Sequence, residues 1–156
     1  MTTNAQANIG VPADAEILKR VKFSPAEAQE DDVLSVGEAL CYIIEDGVVD
    51  MTQVARPATA TLRVFAGIVH PSSAGATDGD HITLIAQGPA TVRVDGATGD
   101  AVSIGDRLNV VDGSYNLRHS DANDDGFCVA YQGDGLTADD EQILAMVGQQ
   151  YIILSP

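Results

Sequence analysis

The chain has 156 residues, 45% hydrophobic but only 4% aromatic and without tryptophan, which fits one domain with a core of small aliphatic side chains. Its 23 acidic residues against 8 basic ones give a formal charge of −15. That balance argues against nucleic acid and anionic membranes as partners, since neutralising phosphates needs clustered Lys and Arg. The sequence opens with no basic and apolar leader, and no apolar run reaches the ~18 residues of a membrane helix. Synthesis in the cytoplasm is therefore expected.

Residues 1–35 read as an extended N-terminal arm and residues 36–156 as a β-domain. The arm holds both lysines of the chain, Lys19 and Lys22, with Arg20 between them. The apolar positions around them fit neither the helical nor the strand period cleanly, so both conformations stay open. Ile17, Leu18, Lys19, Arg20, Lys22 and Phe23 form a cationic segment edged by apolar side chains and are the candidate partner-binding residues. The alternative is a solvated segment whose apolar residues fold back on the domain. Ser24-Pro25-Ala26-Glu27 carries the signals of a capping box, and the acids that follow limit any helix there to one or two turns.

Beyond this point the text is that of a β-protein. Ala39–Ile44 and Val48–Val54 flank Glu45-Asp46-Gly47 and read as a hairpin. A helix opening at Ser35 with Glu38 three residues on competes with it. Further short strands are expected at 60–69, 82–86, 91–95, 101–104, 108–111, 127–131, 143–147 and 151–154. Six Asp-Gly and four Gly-Asp steps punctuate these runs, and every acid between residues 78 and 140 is Asp, whose short side chain builds turns. The expected fold is all-β, a small β-barrel or β-sandwich of short strands.

Chemistry-bearing patterns are few. Asp121, Asn123 and Asp125, followed by Gly126, match the first half of a calcium loop and are the candidate metal ligands, with Ca²⁺ as the candidate ion. Gln132 stands where a helix-loop-helix calcium site needs a bidentate Glu, so such a site is excluded and an Asx-rich turn is the alternative. His70, His81 and His119 share no metal-binding spacing, and no nucleophile elbow or phosphate-binding loop occurs. No catalytic residue is assigned. Cys41 and Cys128 sit inside apolar runs and read as buried free thiols.

The stretches Phe65-Ala66-Gly67-Ile68-Val69, Gly88-Pro89-Ala90-Thr91-Val92-Arg93-Val94, Val102-Ser103-Ile104-Gly105-Asp106-Arg107-Leu108, Gly126-Phe127-Cys128-Val129-Ala130 and Gln142-Ile143-Leu144-Ala145-Met146-Val147 occur in an order that resembles the decoration, or cement, proteins of tailed-bacteriophage capsids. The resemblance covers residues 36–154. It implies a non-enzymatic virion protein, made in the host cytoplasm and commonly a homotrimer, that sits on the outer surface of the head. Its implied partner is the major capsid protein, whose subunits it bridges against internal pressure. A calcium-dependent β-binding module and a small hydrolase are the competing functions.

Overall fold

The computed structural model describes residues 16–120 and 126–148. Nine strands account for most of its regular structure: β1 (Ile17–Phe23), β2 (Ala39–Glu45), β3 (Val48–Ala55), β4 (Phe65–Val69), β5 (His81–Val94), β6 (Arg107–Asn109), β7 (Arg118–His119), β8 (Cys128–Ala130) and β9 (Glu141–Val147). Three short 3-10 turns, Glu27–Gln29, Thr59–Thr61 and Pro71–Ser73, are the only helical elements among the described residues. The all-β expectation holds.

The strands pair in the order β1-β3-β2-β4-β5, and β5 returns to β1, closing a five-stranded barrel. β5 then continues into a second sheet, β5-β9-β8-β6-β7. All pairings are antiparallel except that of β1 with β3. Because side chains alternate along a strand, β2, β4 and β5 feed two cores at once. Leu40, Tyr42, Ala66, Val69, Ile82 and Leu84 face the barrel interior with Val21, Phe23, Leu34 and Val54. Ala39, Cys41, Ile68 and Ile85 face outward, onto Val92, Val94, Leu108, Leu117, Ile143 and Val147 of the second sheet and its loops. Phe65 and Phe127, with ring centroids 4.8 Å apart, stack against this second core.

This arrangement bears out some expectations and corrects others. Ile17–Phe23, read within an arm, is strand β1 of the barrel, and Leu34 lies in the barrel core; residues 1–15 lie outside the described residues. The 2–3 hairpin forms as expected, its turn made by Asp46 (φ 50°) and Gly47 (φ 78°), the pair of positive φ angles a type I′ turn requires. The competing helix at Ser35 does not form. Glu38 does accept a hydrogen bond from the Ser35 amide at 2.8 Å, but Gly37 at φ 88° turns the chain into β2 instead. The strands expected at 82–86 and 91–95 are one continuous strand, because Gly88-Pro89 marks the passage from barrel to second sheet and not a turn. Residues 101–104 form no strand; Val102 makes only a bridge to Leu136. The expected strand at 151–154 lies outside the described residues.

At Gly67 on β4 a Cβ would fall 2.7 Å from the Ile85 carbonyl oxygen, so this position is closed to any side chain. Phe23, fully buried, anchors β1 in the barrel. Phe23→Ala should lower the unfolding free energy by about 3–5 kcal/mol in a denaturant titration, the usual cost of emptying an aromatic core site. Leu18→Ala, on the exposed row of the same strand, should change it by less than about 0.5 kcal/mol. Equal small effects at both positions would contradict the placement of β1.

Candidate interaction surface

The barrel wall is held unevenly. β1 and β3 run parallel and pair only at Lys22–Gln53 and Phe23–Val54. Toward their N-terminal ends the ladder stops, leaving Ile17–Val21 and Val48–Thr52 without a shared register. β3 is irregular at the same point. Its pairing with β2 jumps from Tyr42–Val54 to Ile43–Asp50, so that Met51, Thr52 and Gln53 form a wide bulge. The Asp50 carboxylate holds that bulge, accepting from the Thr52 amide at 2.8 Å, the Thr52 hydroxyl at 2.6 Å and the Gln53 amide nitrogen at 2.7 Å. The Ser24 hydroxyl in turn donates to the Gln53 side-chain oxygen Oε1 at 2.8 Å. These bonds favour the carboxylate and draw the Asp50 carboxyl below the ordinary aspartate range.

Beyond the bulge, β2 and β3 run on as a two-stranded ribbon paired at Ile43–Asp50, Ile44–Val49 and Glu45–Val48. Val48 is 68% exposed and Met51 61%, with Val49 exposed as well. A cleft of about 280 Å³ opens at the root of the ribbon, lined by Tyr42, Ile43, Ile44, Ala55, Pro57 and Thr61 among others. Two-stranded ribbons are marginal on their own, and apolar side chains displayed on one are characteristic of a surface that meets a partner.

Beside the bulge lies the basic row of β1. Leu18, Arg20 and Lys22 face solvent, while Ile17 and Lys19 are half-buried and Val21 and Phe23 buried. The Lys19 ammonium donates to the Tyr42 hydroxyl at 2.7 Å and lies 5.3 Å from the centre of its ring. Among the described residues, the ion pairs are Arg93–Asp140 at 2.7 Å, Arg118–Asp95 at 3.9 Å and His119–Asp106 at 3.9 Å. None involves the cations of β1.

Of the candidate partner-binding residues, the structure therefore brings Leu18, Arg20 and Lys22 to the surface on one row, aims Lys19 at Tyr42, leaves Ile17 half-buried and places Phe23 in the core. Asp121, Asn123 and Asp125 lie outside the described residues. Among the described residues, no three His, Cys, Asp or Glu side chains converge on a metal position. Val48, Val49, Asp50 and Met51 were not singled out from sequence. Consecutive valines beside a tight turn break the strand alternation, and Asp50-Met51-Thr52 carries the spacing of an Asx turn; both signals were present.

Elsewhere the polar groups serve the fold. Asp95, buried at the end of β5, accepts from the Asn116 side-chain amide at 2.7 Å and the Asp140 backbone amide at 3.1 Å, tying the second sheet to its loops. His119 stands 3.9 Å from Asp106, beyond hydrogen-bond range. Both thiols are free and buried, as expected. Burial pushes Cys41 up to about 12, with Thr61 donating a small opposing hydrogen bond, and drives Cys128 higher still.

No protein-family model matches the chain and no curated protein matches its sequence. Among solved structures it is similar to the N base of the head fiber gp8.5 of bacteriophage phi29, at 12% identity and a TM-score of 0.49, over 85% of this chain and 94% of that one.

Two outcomes check the local chemistry. The Asp50 carboxyl, followed by NMR, should titrate below the ordinary 3.8. The stability it gives the bulge is present above that value and lost as pH falls through the depressed one, so a midpoint at or above 3.8 would contradict the bulge geometry. The thiols have raised values, so their contribution is full below the ordinary 9.0 and falls as pH rises toward about 12 for Cys41. At pH 8 a thiol reagent should label the protein only after denaturant is added; rapid labelling of the native protein would contradict their burial.

Proposed function

We propose that this chain is a non-enzymatic capsid decoration protein, which binds the outer surface of a phage head as a homotrimer and stabilises it by bridging major capsid protein subunits. The observation that carries the reading is the β2–β3 ribbon with Val48, Val49 and Met51 exposed on a chain whose net charge is −15. A strongly acidic surface keeps such a protein soluble and off the packaged nucleic acid, while one apolar projection beside one basic row gives it a defined place to dock. The order of the strand motifs supports the same reading: the stretches that resemble the cement proteins include β4, the second half of β5, β8, most of β9 and the entry to β6.

The test is sedimentation of the chain with expanded heads of the phage that encodes it. Stoichiometric binding is expected, and Val48→Asp with Met51→Asp should weaken it at least about tenfold, the effect of ~1.4 kcal/mol, with circular dichroism unchanged. Failure of the wild-type chain to bind heads, or absence of the chain from purified particles, would overturn the reading.

A further inference from the structure

The seam between β1 and β3 is paired at one end only. Each of the two strands has an edge there on which the ladder stops: β1 from Ile17 to Val21 and β3 from Val48 to Met51. Both strands are paired on their other sides, β1 with β5 and β3, at Val48–Asp50, with β2; Met51 belongs to the bulge. Backbone groups on an open strand edge template the pairing of another extended chain, and strand addition is a recurrent mode of peptide recognition.

The chemistry around the slot specifies what fits. Lys19, Arg20 and Lys22 comprise the two lysines of the chain and one of its arginines. In a chain with 23 acids, none of the ion pairs among the described residues satisfies them. Lys19 turns inward to a neutral Tyr42 hydroxyl, and Arg20 and Lys22 face outward on the row that also carries Leu18. His81 is the register partner of Lys22 on β5; Asp80 before it lines a pocket with Arg20, with its carboxylate accepting from the Thr77 amide at 2.9 Å. Met51 and Val49 stand exposed across the seam. Cations thus line β1 and apolar side chains line β3.

We propose that the β1–β3 slot receives an extended polypeptide segment, contributed by a separate protein, in which acidic and apolar residues alternate. The segment pairs its backbone with Val48–Met51 and Leu18–Val21, sets its acids against Arg20 and Lys22, and lays its apolar side chains beside Met51 and Val49. This names the partner chemistry for the surface assigned above and rests on that reading for its biological setting, but the binding mode is tested without any capsid.

The probe is a blocked synthetic peptide of alternating Glu and Val, with its Lys and Val counterpart as control, added to the full chain. Amide hydrogen exchange read by NMR should slow at least about tenfold at Val48–Met51 and at Leu18–Val21 with the Glu peptide, corresponding to ~1.4 kcal/mol, and stay unchanged with the Lys peptide. Arg20→Glu with Lys22→Glu, both exposed, should abolish the effect while leaving circular dichroism intact. No protection, or equal protection by both peptides, would overturn the proposal. So would amides already protected in the free chain that become exposed on removal of residues 149–156, since the chain's own segment would then fill the slot. If the peptide binds and phage heads do not, the slot stands and the capsid reading falls. If heads bind the doubly reversed variant as well as the wild type and the peptide gives no protection, the slot falls alone.

Discussion

Everything else in the molecule depends on β5 belonging to two sheets. Its 14 residues close the barrel against β1 and β4 and then pair with β9. A strand that long is more than twice the usual length, and it passes Gly88 and Pro89 without a turn because the change of sheet takes place there. Gly88 at φ 109° supplies the local backbone freedom, and Pro89, which cannot donate to a ladder, falls at a boundary where such a residue is tolerated. Splitting the chain into a barrel and a second sheet gives a sequence poor in aromatics two small aliphatic cores in place of one large one.

That division bears on where the proposed interaction surface falls. β4 and the barrel end of β2, Ala39–Tyr42, are covered on both faces, so they are not available to a partner. β1 and β3 give no residue to the core of the second sheet, and the Asp50 bulge lies in β3 where its ladder with β1 ends. The result is a seam that closes at Phe23–Val54 and parts at the other end, flanked by exposed apolar groups on one side and by Arg20 and Lys22 on the other. A few carboxylate hydrogen bonds at Asp50 thus set the geometry of the surface on which the proposed function depends.

The fold class was legible because the sequence states it repeatedly. Alternating aliphatic runs, Asp-Gly steps and a scarcity of helix signals all point to short strands, and Asp46-Gly47 marks its hairpin by turn chemistry alone. What was not legible had non-local causes. Val21 and Phe23 give β1 its buried face, but Ile17-Leu18 and the three interleaved cations hide the alternation, and only the pairing with β5 across some sixty residues of sequence reveals it. Gly88-Pro89 reads locally as a break, and the β5 ladder overrides that signal. The basic row was visible as composition, yet its division into exposed Arg20 and Lys22, inward Lys19 and buried Phe23 follows only once the strand is placed.

On the proposed function, the chain docks on a capsid through the β1–β3 side and the β2–β3 ribbon. Electron cryomicroscopy of the phage particle carrying the chain tests it most directly. Density for the domain is expected on the outside of the head, with Val48, Met51, Arg20 and Lys22 turned toward the capsid subunits. Particles lacking the domain, or a domain bound with that side facing solvent, would contradict it.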